Sequence, residues 1–183
     1  MEKNLKQKGF SLIEVMTTIF IIALLSTIIF TVNRQSNKYY TLLRVASKLA
    51  QDIRIAAQMA TNTSKCPTGT DCAGSVPRGY GVYFDLSTLG NTTYLLYADT
   101  DAGVSQDYTV GVDAVIKTID LERGITIQSI IPASPLSINF KPPDPIVKIS
   151  GGAADECTIT LELAGFSRIK KVKVNKSGQV WIE

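Results

Sequence analysis

Lys8-Gly9-Phe10-Ser11-Leu12-Ile13-Glu14-Val15-Met16 marks the sharpest boundary in this chain of 183 residues. Before it, Met1 to Gly9 is polar and carries Lys3, Lys6 and Lys8 against Glu2; after it, Phe10 to Val32 is almost continuous hydrocarbon side chain. From Leu12 to Val32 the polar exceptions are Glu14, Thr17, Thr18, Ser26, Thr27 and Thr31, and hydroxyls of this kind can bond back to their own helix carbonyls. At 1.5 Å per residue, roughly 20 residues span a bilayer core of about 30 Å, so the segment is long enough to cross a membrane. The basic leader predicts a cytoplasmic N-terminus and export of everything after Val32. Glu14 stands out. A carboxylate within such a helix costs about 2.5–3.5 kcal/mol on insertion scales, so it needs an interfacial position or a compensating partner.

The run from Gly9 to Met16 resembles the prepilin signature of type IV pilins and type II secretion pseudopilins. The resemblance implies that a prepilin peptidase cuts after Gly9, that the new amine of Phe10 is N-methylated, and that Glu14, fifth in the mature chain, is retained. In a filament of parallel helices that carboxylate would neutralise the buried terminal ammonium of a neighbouring subunit and set the axial register. A desolvated pair of this kind specifies alignment more than it stabilises. An ordinary signal peptide or a plain membrane anchor would account for the apolar run, though not for Glu14. Loss of the leader removes a net +2 from the formal +3, leaving the mature chain nearly neutral.

No Gly or Pro interrupts the chain between Phe10 and Cys66, and Leu42, Val45, Ala46, Leu49, Ile53, Ala56, Ala57 and Ala60 recur three and four apart. That spacing predicts one helix of about 50 residues whose second half is amphipathic. Thr61-Asn62-Thr63 and then Lys65-Cys66-Pro67 supply its stop. The expected organisation is a leader over 1–9, a membrane or filament-core helix over 10–32, its amphipathic continuation over 33–63, and an exported head over 64–183. Major pilins often carry a helix-breaking Gly and Pro in the first half of this helix. Their absence points toward a minor pilin or pseudopilin.

Beyond Cys66 the pattern changes to short runs of β-branched and aromatic residues between turn residues. The clearest hairpin joins Tyr80–Leu86 to Thr92–Ala98; further strands are expected at Val115–Leu121, Ile125–Ile131, Leu136–Phe140, Ile146–Ile149, Thr158–Leu163, Ile169–Val174 and Val180–Ile182. The fold class is therefore α+β, with the long helix packed on an antiparallel sheet or pair of sheets. The small and apolar stretch Val45–Ala60 and the closing Lys170–Ile182 segment resemble the pseudopilin H and FimT branch of the superfamily.

Catalysis finds little support. There is no His, which removes the commonest general base, the usual nucleophile pairs and the commonest zinc ligand. No phosphate-binding loop, nucleophile elbow or metalloprotease helix occurs. Three features of the head remain. Cys66 and Cys72 would meet an oxidising space and can close a short loop, with pairing of Cys157 to one of them or free thiols as alternatives. Asp99, Asp101 and Asp107, with Asp113 beyond, offer oxygen ligands for calcium if their loop folds back, although Gly103 occupies the third acidic place of a calcium loop and no closing Glu follows. The plain alternative is a solvated loop. Arg168, Lys170, Lys171 and Lys173 form a basic segment that could meet the phosphates of DNA, but strand alternation separates Lys170 from Lys171, and no aromatic ladder accompanies them. The expected partners are prepilin peptidase, other pilin or pseudopilin subunits and the cytoplasmic membrane, with a periplasmic or extracellular head. A DNA-uptake role is the less favoured reading.

Overall fold

Helix α1 runs without a break from Leu12 to Thr61, 50 residues. The computed structural model describes residues 9–101, 106–142, 146–151, 155–165 and 167–183. The charged leader residues Glu2, Lys3, Lys6 and Lys8, together with Gly103, lie outside the described residues. Two compact units divide at Tyr39/Tyr40, within the helix.

In the first unit, Leu12–Phe30 has a mean hydropathy of 2.4, and none of it is buried by the rest of the chain. Its hydroxyls are internally satisfied: Thr17, Thr18, Ser26 and Thr27 donate to the carbonyls of Glu14, Val15, Ile22 and Ala23 at 2.7–3.0 Å. A helix facing hydrocarbon must bond its polar groups in this way.

In the second unit, the amphipathic half of α1 puts Leu42, Val45, Ala46, Leu49, Ala50, Ile53, Ala56 and Ala60 into one core with the inner faces of the head. Small side chains at 46, 50, 56 and 60 allow close approach of a sheet. Polar ties flank that seam. Tyr94 donates to Asp52 Oδ2 at 2.6 Å, Arg54 Nη2 donates to the Val180 carbonyl at 2.7 Å, and Arg44 is paired with Glu122. The helix ends where Thr63 takes a positive φ of 45° and Ser64 N–H bonds back to the Met59 carbonyl, a left-handed cap of the usual kind.

Among the described residues the head has nine strands: β1 Gly79–Phe84, β2 Thr93–Asp99, β3 Ala114–Asp120, β4 Ile125–Ile131, β5 Leu136–Lys141, β6 Ile146–Ile149, β7 Glu156–Leu163, β8 Ile169–Asn175 and β9 Val180–Ile182. They form two antiparallel sheets, in the order β3-β2-β1-β5-β6 and β4-β7-β8-β9. The architecture is α+β and type IV pilin-like, as expected. β4 follows β3 in sequence yet pairs with β7 in the other sheet. Local pattern carries no information about such a change of partner, because pairing is chosen by long-range packing.

The outer face of the five-stranded sheet is also covered. Tyr83 on β1 and Leu95 and Tyr97 on β2 form a second small apolar cluster, against which Leu89 and Tyr108 pack. Tyr108, from the segment before β3, sits 4.5 Å from the Tyr83 ring and 5.1 Å from the Tyr97 ring. Gly81 makes this layer fit. A Cβ there would meet the Tyr97 ring and the Ile138 carbonyl at 2.6 Å, so Tyr97 crosses β1 where no side chain stands and reaches Ser137 on β5 at 2.6 Å.

Candidate functional site

At the head of α1, the Ser11 carbonyl accepts the N–H groups of Glu14 and Val15 at 3.0 and 3.2 Å. Glu14 therefore lies in the first helical turn, where the helix dipole favours a negative charge. Ser11-Leu12-Ile13-Glu14 also has the spacing of a capping box, a local signal that accounts for a helix starting here. Phe10 precedes that turn and is 80% exposed, and Leu12, Ile13, Met16, Phe20, Ile22, Ile29 and Phe30 are each more than 60% exposed. An apolar surface this continuous demands cover from lipid or from other helices. Among the described residues, Gly9 has nothing within 4 Å of where a Cβ would stand.

In the head, Cys66 and Cys72 are joined by a disulfide with Cα atoms 5.6 Å apart. The same loop is tied by backbone bonds from Cys66 N–H to the Ser75 carbonyl and from Gly74 N–H to the Cys66 carbonyl. Cys157 is buried and free. Burial pushes its thiol up to about 12, which makes it inert at neutral pH.

The acidic residues divide. Asp99, at the end of β2, and Asp101 come together with Asp113, each offering an oxygen within 4.8 Å of the others. Asp107 instead pairs with Lys148 on β6 at 3.1 Å. Spacing along the chain suggested Asp107; the fold-back before β3 brings Asp113 instead. Asp113 organises that turn, its Oδ1 accepting from Thr100 N–H at 2.9 Å and its Oδ2 from Thr109 N–H at 2.7 Å. Burial, then the fields of Asp113 and Asp101, push Asp99 up to about 6, against the opposing bond from Asn139 and the field of Arg78. Nearby Asp85 shows the opposite balance. Burial alone would raise it, but hydrogen bonds from Ser87 and Thr88 prevail and hold its carboxyl well below the usual range.

The basic segment is not one plane of contact. In β8, Val172 and Val174 are buried. Lys170 shares their side of the strand, whereas Lys171 and Lys173 occupy the other side, opposite Thr160 and Thr158. Lys173 is bonded to Glu183 at 2.9 Å, and Lys176 to Asp155 at 2.7 Å. Arg168 is exposed just before the strand. Acid is therefore interleaved with base.

Residues 4–30 match the model of the prokaryotic N-terminal methylation motif. That is a type IV prepilin-like N-terminus. The match takes in residues 4–9, Phe10, Glu14 and the apolar helix as far as Phe30. No curated protein and no solved structure gives a significant match. Such a motif implies processing by prepilin peptidase and assembly with other pilins, and with the apolar helix it fits a single-pass inner-membrane anchor. It marks a structural family rather than an enzymatic one.

Proposed function

We propose that this pilin-like chain is a minor pilin or pseudopilin of the pseudopilin H and FimT branch. Residues 1–9 are removed by cleavage after Gly9, and Phe10 is N-methylated. Residues 10–32 hold the precursor in the cytoplasmic membrane with the leader inside and the head exported, and afterwards pack in the core of a type IV pilus or type II secretion pseudopilus. Residues 33–63 join that core to the head, 64–183. The observation that carries this reading is an unbroken helix whose first 19 residues are wholly uncovered, with Glu14 the only acidic residue of the apolar run from Phe10 to Val32.

In a water-free filament core the Glu14 carboxylate needs a cation, and the methylated ammonium of a neighbouring Phe10 supplies one at the matching depth. One such pair per subunit defines a single axial offset. Replacement Glu14→Ala tests this. The variant is expected to be cut normally and to remain in the membrane, with recovery in sheared filaments or pseudopili reduced at least tenfold. Undiminished incorporation contradicts the role. Deletion of the chain separates the two machines, since a pseudopilin loss stops secretion of folded proteins and a pilin loss removes surface filaments or DNA uptake.

A further inference from the structure

Four asparagines lie in the second unit, and their surroundings divide them. Asn139 is 1% exposed and is bonded to Asp99 across the sheet. The other three each stand two residues before a hydroxyl, with no proline between: Asn62-Thr63-Ser64, Asn91-Thr92-Thr93 and Asn175-Lys176-Ser177. In the first unit, Asn4, Asn33 and Asn37 have Lys6, Gln35 and Tyr39 at that place. Asn-x-Ser/Thr is the acceptor pattern for an N-linked glycan, a bulky polar group that belongs on an exposed turn. The pattern is short enough to arise by chance, so local geometry has to discriminate among the three.

Asn175 is committed to its own hairpin. Its Oδ1 accepts from Ser177 Oγ at 3.1 Å and from Gln179 N–H at 2.9 Å, closing the turn between β8 and β9, and the residue is half-buried. Asn62 belongs to the end of α1, where its N–H bonds the Gln58 carbonyl, Thr63 takes its positive φ and Ser64 N–H bonds back to Met59. Extending that sequence for a transferase would undo the cap. Asn91 differs. It and Thr92 are exposed in the turn before β2, and among the described residues no hydrogen bond holds its carboxamide. The backbone beneath is fixed, since the Asn91 carbonyl accepts from Ile127 N–H at 2.7 Å and the Thr92 carbonyl from Leu121 N–H at 2.8 Å. Thr93 Oγ1 donates to Asp120 Oδ1 at 2.8 Å, at the surface.

We propose that Asn91 is the acceptor for an N-linked glycan, transferred on the outer side of the membrane from a polyprenyl diphosphate-linked saccharide. This rests on the reading of the head as exported. In the transfer, the bond from the sugar's anomeric carbon to the diphosphate oxygen breaks and the bond from that carbon to Asn91 Nδ2 forms. One Nδ2 proton passes to a base of the transferase, and the diphosphate leaves with the electron pair. Position gives the glycan a use. Ile127, bonded to the Asn91 carbonyl, lies in β4, the edge of the four-stranded sheet, and an open edge invites strand addition from another chain. A polar saccharide rooted beside that edge screens it.

The test is peptide mapping by mass spectrometry, without reduction, of the full chain recovered from membranes of the cells that natively make it. Trypsin releases residues 79–117, in which Asn91 is the only asparagine, and residues 66–78, which hold both Cys66 and Cys72. The parent is expected to yield 79–117 with saccharide on Asn91. Asn91→Gln and Thr93→Ala are each expected to lower that species at least tenfold, and Thr93→Ser to retain it. Peptide 66–78 reports whether the head reached an oxidising space. A bare 79–117 beside an oxidised bridge overturns the acceptor alone, whereas a bare 79–117 beside free thiols overturns the exported head and the acceptor with it. Saccharide that persists on 79–117 in Asn91→Gln or Thr93→Ala, or that sits on Asn62 or Asn175 and not on Asn91, also overturns the assignment.

Discussion

The two halves of α1 are built from the same helix-forming alphabet and meet without a break, yet they stand in opposite relation to the rest of the chain. From Leu12 to Phe30 nothing is covered; from Leu42 to Ala60 eight side chains are buried at 2% exposure or less. Length does not separate them. What does is the width of the apolar surface: the first half is apolar all round, and the second has one apolar stripe with Arg44, Lys48, Asp52 and Arg54 on its other sides. A stripe matches a sheet within the chain, whereas an all-round surface needs lipid or other chains. One half is therefore folded by its own protein and the other is completed by an environment.

The comparison is most severely tested by placing one charge in each half. Ile53→Asp buries an unpaired carboxylate in the core and is expected to cost more than about 4 kcal/mol, enough to abolish cooperative unfolding by near-ultraviolet circular dichroism. Ile22→Asp, on the uncovered half, is expected to leave the thermal midpoint of the head unchanged and to impair membrane insertion. Similar damage to the head from both would erase the distinction.

Reduction of the Cys66–Cys72 bridge confines the test to the head. The bridge closes a short loop, and its loss through a Cys66→Ser, Cys72→Ser double variant is expected to cost about 2 kcal/mol of denaturant stability. Membrane retention by the apolar half should not change. A smaller effect should follow from Asp85, whose carboxyl is held low by Ser87 and Thr88. Its stabilisation is complete above the unfolded pKa of about 3.9 and is lost as the pH falls through the lower folded value. Asp85→Asn should therefore lower stability at pH 7 by about 1.5 kcal/mol and flatten the acid limb of a stability-against-pH curve below pH 4. The smallest expected change is at Tyr94→Phe, which removes one bond to Asp52 on the amphipathic half. About 1 kcal/mol should be lost in chemical denaturation, and removing Asp52 as well should add little.

Elements with a strong local signature were legible before any coordinates. The helix needed only its spacing and the lack of Gly and Pro, and each strand lay between turn residues. The division into two sheets was not legible, because it depends on β4 choosing β7 across an intervening hairpin. The second layer on the five-stranded sheet had a signal that sequence reasoning passed over. Gly79 and Gly81 alternate with Tyr80 and Val82, and glycine inside a strand often marks the close approach of another group; here Tyr97 approaches Gly81. Asp113 was seen only as an outlying acid, because a loop that folds back reorders neighbours that chain spacing ranks. The N-terminal residues are the reverse case. Gly9, Phe10 and Glu14 are conspicuous in the sequence, while in the proposed function the partners of their reactive groups belong to other molecules.

The most direct test of the central claim is the intact mass and N-terminal sequence of the protein recovered from membranes of cells with and without a prepilin peptidase. The account predicts that only with the peptidase does the chain lack Met1–Gly9 and begin at a methylated Phe10. An uncut chain in both strains would contradict it, and would make α1 the anchor of an exported domain outside the pilin pathway.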